Sequence, residues 1–112
     1  MKKISVITPC FNEELNVEMC ADRLAQIFKE KLPEYDYEHI FADNASTDST
    51  VEKLRILTSK NKKIKVIVNS RNVGPFRNMW NAMKSSTGDA VIPLLPADLQ
   101  DPPEVIPDFI RG

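Results

Sequence analysis

Glycine, cysteine and histidine are scarce in this chain, with three, two and one copies in 112 residues, and each shortage removes a class of site. A dinucleotide fingerprint needs G-x-G-x-x-G after the first strand, and a P-loop needs glycines and a lysine there. Gly74, Gly88 and Gly112 supply neither. Cys10, Cys20 and the lone His39 do not complete a nitrogen and sulfur metal site, and free thiols suit a reducing cytosol. No apolar stretch approaches the ~18 residues of a membrane span. The run Ile4 to Ile7 after Lys2-Lys3 is too short for a signal-peptide core. Charge of one sign is also missing: fifteen basic residues meet sixteen acidic ones, leaving −1. That balance offers no broad positive field for attracting nucleic acid or anionic lipid, so neither polyanion is an expected partner.

What is present is a strand and helix alternation in one domain spanning residues 1–112. Ile4 to Ile7 is a β-branched run that Thr8-Pro9 is expected to stop, because proline cannot donate to a central ladder. Glu14 to about Leu32 carries Val17, Cys20, Leu24, Ile27 and Phe28 at helical spacing, and Pro33 closes that helix. Tyr37 to Ala42 predicts a second strand. Ser46, Thr47 and Asp48 offer N-cap chemistry to a helix whose inner face is Val51, Leu54 and Leu57. Ile64 to Val68 predicts strand three. Gly74-Pro75 opens a helix carrying Met79, Ala82 and Met83, and Ala90 to Leu95 predicts strand four. Pro102-Pro103 introduces a last short helix. Crossovers of this length give a parallel sheet covered on both faces, so the fold class is α/β, a three-layer, Rossmann-like α/β/α arrangement.

Ligands of such sheets bind beyond the carboxyl ends of the strands. Four polar segments follow those ends: Pro9 to Glu13, Asp43 to Asp48, Ser70 to Gly74 and Pro96 to Asp101. If the ligand is a diphosphate, a divalent cation on oxygen ligands must replace the missing glycine cradle, and Asp98 with Gln100 supplies such oxygens. Asp43 or Glu13 can accept hydrogen bonds from base N–H or ribose hydroxyl groups, and Arg71 offers a planar donor fork.

Ile4-Ser-Val-Ile-Thr-Pro-Cys-Phe-Asn-Glu-Glu14 resembles the opening strand and P-x-Y-N-E loop of family-two glycosyltransferases. Phe41-Ala-Asp-Asn-Ala-Ser-Thr-Asp-Ser-Thr50 resembles their D-D-G-S-T-D-S-T segment, Ser70-Arg-Asn-Val-Gly74 their R-N-x-G segment, and Ala97-Asp-Leu-Gln-Asp-Pro-Pro-Glu104 their D-x-D-L-Q-D-P-P-E segment. The wording is closest to the branch of dolichol-phosphate mannose synthases and polyprenyl-phosphate glucosyltransferases. The resemblance implies a GT-A fold ending here after the fourth strand. It also implies inverting transfer of a sugar from a UDP- or GDP-sugar to a polyprenyl phosphate or glycan, as in cell-wall or polysaccharide synthesis. By the same resemblance Pro9, Phe11 and Glu13 border base and ribose, Asp43 and Arg71 hold the base, and Asp98 with Gln100 binds Mg2+ or Mn2+.

Several positions depart from that pattern. Pro96 stands where the first acid of D-x-D is usual, and its side chain cannot ligate a cation; this motivates an alternative reading as a non-catalytic nucleotide-binding or regulatory module. Phe11 stands for tyrosine, Asn44 for the second aspartate, and Ala45 for glycine, which suggests a turn without positive φ. Ser46, Thr47 and Asp48 read as helix caps, Asp101 as the cap of the last helix, His39 as a satisfied half-buried histidine, and Trp80 with its neighbouring methionines as core. The family's catalytic base and acceptor surface are expected beyond Gly112, so the chain reads as a donor-binding fragment. Its expected setting is the cytoplasm, at the inner membrane face in a longer protein, with self-association through the sheet edge near strand four.

Overall fold

The computed structural model describes residues 1–93, 95–98 and 106–111. Eight elements follow in the order β1 (Lys3–Cys10), α1 (Val17–Lys31), β2 (Asp36–Asp43), α2 (Thr50–Lys60), β3 (Ile64–Val68), α3 (Pro75–Lys84), β4 (Ala90–Ile92) and α4 (Ile106–Arg111). The strands form one parallel sheet in the order β3-β2-β1-β4. The α/β expectation holds, and β3 coincides with its predicted span.

Alternation along β1 and β2 sorts the core into two layers. On one face Ile4, Val6, Tyr37 and Phe41 pack beneath the apolar stripe of α1, Val17, Cys20, Leu24 and Phe28, and beneath Leu54 of α2. Phe28 stacks on Tyr37 with ring centroids 4.5 Å apart. On the other face Ile7, Ile40 and Ala42 meet Ala82 of α3. Full burial of a Leu or Phe side chain stabilises by ~1.5–3 kcal/mol, so the α1 face carries most of the apolar stabilisation.

Four expectations are corrected. β1 does not stop at Thr8-Pro9 but runs to Cys10. The Cys10 carbonyl faces β2, accepting from the Asn44 N–H at 2.9 Å, and the Ile7 carbonyl faces the β4 side, accepting from the Leu95 N–H at 2.8 Å. By alternation the missing N–H of Pro9 faces the β4 side, where strand pairing has already ended at Val6, so no ladder bond is lost. β4 is shorter than predicted because Pro93 follows it. Trp80 is 56% exposed rather than core, and Met79 and Met83 are half-buried; α3 turns only Asn78 and Ala82 fully inward. Ala45 does adopt positive φ, at 64°. Asp101 and Pro102-Pro103 lie outside the described residues.

The amino end of the sheet is tied by a buried carboxylate. Glu38 accepts from Ser5 Oγ at 2.5 Å, from the Thr87 N–H at 2.5 Å and from Thr87 Oγ1 at 3.1 Å, and pairs with Lys65 at 2.6 Å. Burial pushes its pKa up, but these donors outweigh it and pull the carboxyl down to about 2. The Gly88 N–H donates to Ser5 Oγ at 2.9 Å, holding the α3 to β4 connection against β1.

Candidate functional site

Strand register brings three of the four predicted segments to one rim. Cys10 pairs with Asp43 and Asp43 with Val68, so the loops after β1, β2 and β3 leave the sheet side by side. Asn12, at φ 53°, stitches the first loop to the second. Its N–H donates to Ser46 Oγ at 2.9 Å, and its side-chain oxygen accepts from the N–H groups of Thr47 at 2.8 Å and Asp48 at 3.3 Å. The Glu13 N–H donates to Thr50 Oγ1 at 2.9 Å, and the Glu13 carboxylate accepts from Asn16 Nδ2 at 2.8 Å.

Asp43 ends β2 fully buried, and Ser46 donates to it through both N–H and hydroxyl. Of the predicted capping residues only Asp48 touches the start of α2, accepting from the Thr50 N–H at 2.9 Å; the N-cap position itself is Ser49, whose side chain makes no cap bond. Ser46 and Thr47 serve the loop instead, which corrects their reading as caps. The reason is Ala45: its left-handed backbone turns the chain back over β2 and brings Ser46 under Asp43.

The third loop hangs on asparagines. Asn44 Oδ1 accepts from the Val73 N–H at 2.9 Å and from Asn69 Nδ2 at 3.3 Å, while Asn44 Nδ2 donates to Asn72 Oδ1 at 3.0 Å. Asn72 Oδ1 also accepts from the Gly74 N–H at 2.9 Å. Buried Asn78 donates to the Ala42 carbonyl at 2.9 Å and accepts from Asn69 Nδ2 at 2.8 Å. An amide both donates and accepts, so a chain of them can satisfy itself without net charge. Sequence reading gave no role to Asn12, Asn69, Asn72 or Asn78; the crowding of asparagine between 69 and 81 was the available signal.

An open recess of about 320 Å³ lies between these loops, lined by Pro9, Cys10, Phe11, Glu13, Asn44, Asn72, Pro75 and Asn78. Of the predicted site residues, Pro9, Phe11 and Glu13 line it. Asp43 lies buried beside it, Arg71 is exposed next to Asn72, and Asp98 is exposed beyond β4. Gln100 lies outside the described residues. Pro96 is half-buried. Among the described residues, no three His, Cys, Asp or Glu side chains gather as a ready cation site. A larger hollow of about 560 Å³ runs along β4 with Lys2 and Asp89 as its charged lining; it lacks convergent polar groups, so the smaller rim recess is the better candidate.

The thiols and the histidine stay outside the chemistry. Burial, with Asp43 nearby, drives the Cys10 pKa far above the ordinary thiol range, and burial raises that of Cys20 to about 11. Both are free, protonated and poor nucleophiles. His39 is fully rather than half-buried; burial lowers its pKa to about 3, which keeps it neutral. Its Nε2 lies 2.7 Å from Thr8 Oγ1, whereas Nδ1 has no hydrogen-bond partner among the described residues. The tautomer with the proton on Nε2 leaves the smaller debt, an unused acceptor instead of a stranded donor.

Residues 5–112 match the profile of Glycosyl transferase family 2. The chain is 37% identical over 110 residues to a dolichol-phosphate mannosyltransferase of Pyrococcus furiosus, covering 98% of this chain and 30% of that protein. It is 33% identical over 109 residues to a prophage bactoprenol glucosyl transferase homolog of Escherichia coli, covering 97% of this chain and 35% of that protein. Among solved structures, the mannosyltransferase PcManGT of Pyrobaculum calidifontis, in complex with GDP-Man and Mn2+, superposes with a TM-score of 0.81 at 22% identity, covering 98% of this chain and 32% of that one. Glucosyl-3-phosphoglycerate synthase of Mycobacterium tuberculosis, with Mn2+, UDP and phosphoglyceric acid, gives 0.69 at 26% identity, covering 95% and 37%. The chain thus spans about a third of the length of the curated relatives it matches. No helix among the described residues is long and apolar enough to cross a membrane.

Proposed function

This chain belongs to glycosyl transferase family 2, and from that premise we propose that it binds the donor in the transfer of a sugar from a UDP- or GDP-sugar, with inversion, to a polyprenyl phosphate or glycan. The observation that carries the reading is the convergence of three strand-end loops on one recess, with the carboxylate of Asp43 fixed beside it. The relatives' names, a dolichol-phosphate mannosyltransferase and a bactoprenol glucosyl transferase homolog, support a lipid-phosphate acceptor.

In this reading Pro9 and Phe11 offer an apolar wall to the base and Glu13 an acceptor to the ribose. Asp43 spends one lone pair per oxygen on Ser46 and keeps others for base N–H groups. Arg71, exposed at the rim, brings a guanidinium to base or phosphate oxygens. Sites for Mg2+ or Mn2+ at phosphates need only one or two carboxylates, the remaining ligands being phosphate oxygens and water. One exposed carboxylate, Asp98, fits that donor set, with Gln100 as a second oxygen source. Such a cation supplies charge neutralisation to a departing diphosphate. A phosphate acceptor is already ionised and needs little help from a base.

Pro96 favours a second reading, a nucleotide-binding module without transfer. Installing Pro96→Asp in the parent protein separates the two: a large gain in metal affinity and transfer supports the non-catalytic module, and a parent already active refutes it. Calorimetric titration of UDP and GDP with Mn2+ tests the main proposal. Metal-dependent heat that falls in Asp98→Asn is expected; no heat with either nucleotide would overturn it. Self-association through the outer side of β4 belongs to the same proposal, and light scattering giving a strict monomer at high concentration would remove that part.

A further inference from the structure

The net charge of −1 conceals a segregation along the chain. From Lys53 to Gly88 there are nine Lys or Arg residues and no Asp or Glu, while the rest of the chain holds six basic and all sixteen acidic residues. α3 lies inside the acid-free stretch. At ~100° per residue, positions 76, 77, 80 and 84 fall within one arc of ~100° on that helix. They are Phe76, 81% exposed, Trp80, 56% exposed, and the exposed cations Arg77 and Lys84. Asn78 and Ala82 face the opposite way, into the sheet.

This face is not a solvated polar surface. Phe76 and Trp80 are one helical turn apart and leave a continuous aromatic strip in water, which costs free energy unless something covers it. Lys84 Nζ stands 5.9 Å from the Trp80 ring centroid, and among the described residues Arg71 and Arg77 make no ion pair. Aromatic rings flanked by cations, with no acid among them, complement one kind of surface well: rings settle at the headgroup level of a bilayer while cations meet anionic lipid phosphates.

From this pattern we infer that the outward face of α3 docks on an anionic lipid membrane. Position supports the occupant, because Pro75 at the start of α3 and Asn72 just before it both line the rim recess. A bilayer against α3 therefore lies beside the mouth of the donor site. That is where a lipid-phosphate acceptor must arrive, a link that rests on the function proposed above. Arg71, exposed at the same mouth, adds a third cation on the membrane side.

Trp80 is the only tryptophan in the chain, so its fluorescence reads the contact directly. The protein is mixed, without nucleotide, with vesicles of phosphatidylcholine alone or of phosphatidylcholine with phosphatidylglycerol. A blue shift with the anionic vesicles only, weakened by salt, is expected. R77E/K84E should lower the vesicle partition coefficient by at least ~30-fold, at ~1 kcal/mol per basic residue near the surface, and F76S should lower it while keeping the salt dependence. All three positions are exposed, so melting temperatures should match the parent. No shift at low salt, equal binding to neutral vesicles, or unchanged binding by R77E/K84E overturns the inference. So does tighter binding to a single-stranded oligonucleotide than to vesicles, or a Trp80 already shielded from an aqueous quencher before vesicles are added. Calorimetry with UDP and GDP on the same preparations keeps the two ideas apart. Vesicle binding without nucleotide binding sinks the donor site and leaves the docking face, and the reverse pattern does the opposite.

Discussion

Ser46 engages both oxygens of Asp43, its N–H reaching Oδ2 at 2.9 Å and its hydroxyl reaching Oδ1 at 2.5 Å. The same hydroxyl accepts from the Asn12 N–H, so one side chain aims the carboxylate and joins two loops. Ser46→Ala should cost ~1–3 kcal/mol of stability, the range for leaving a buried partner, here Asp43 Oδ1, unpaired. It should also weaken UDP or GDP binding by about tenfold. Urea denaturation and calorimetry measure the two effects; undiminished nucleotide affinity would mean that Asp43 does not need this clamp.

Asn44 must donate as well as accept. Its oxygen takes the Val73 N–H and Asn69, while its amide donates to Asn72. Aspartate at this position, the residue usual in the resembling motif, loses the donor and sets a carboxylate oxygen against Asn72 Oδ1. Asn44→Asp should therefore destabilise by ~1–3 kcal/mol. Faster hydrogen exchange at Val73 and Gly74 should accompany it, and protection equal to the parent's would contradict the network.

Acid should loosen the fold in two stages. The folded-state pKa of His39 is about 3, below its unfolded value of ~6.5, because burial disfavours the charged ring. Between those values the unfolded chain binds more protons, so the stability from a neutral His39 is complete above ~6.5 and declines as pH falls toward 3. Glu38, drawn down to about 2 against the upward push of burial by Lys65, Ser5 and Thr87, adds a second loss below its unfolded value of ~4.3. Each group contributes a slope of up to ~1.4 kcal/mol per pH unit. Denaturation series at several pH values should show the first slope vanish in His39→Gln; a flat profile from pH 7 to 5 in the parent would refute it.

Two substitutions of one methyl group should act in opposite directions. A Cβ on Gly88 would sit 2.5 Å from Ser5 Oγ, 2.7 Å from Ser5 N and 2.9 Å from the Lys3 carbonyl. Backbone cannot yield as a side chain can, and Gly88→Ala should lower stability by ~1–3 kcal/mol. Ala45 already holds φ at 64°, where alanine is strained by ~1 kcal/mol. Ala45→Gly relieves this and should be neutral or stabilising by up to ~0.5 kcal/mol after its own entropic cost. Thermal melts of both variants decide the matter, and a destabilised Ala45→Gly would argue against the observed turn.

Periodicity carried most of the architecture. α1 shows its apolar stripe at 17, 20, 24, 27 and 28, and all five are buried, with Ala21 beside them; β3 is a short β-branched run between polar ends, and it begins and ends where the pattern does. Proline misled the reading of β1, since whether its missing N–H matters depends on which neighbour that position faces. Trp80 misled the reading of α3, because helical spacing tells which residues share a face and not which face meets the sheet. Among the candidate site residues, Pro9, Phe11 and Glu13 were brought to one recess, while Asp43, Arg71 and Asp98 stand at its margins or beyond.

Taken alone, the amino-acid sequence determined the α/β class, the order of elements and the polar segments that follow β1, β2 and β3, because each is written in residues close together along the chain. Tertiary structure decided which distant groups meet: Asn12 with Thr47, Asn44 with Asn72, Ser5 with Glu38 and Gly88. Those contacts follow from strand order and register, which arise when the whole sheet closes over its core, and no local pattern of side chains encodes them.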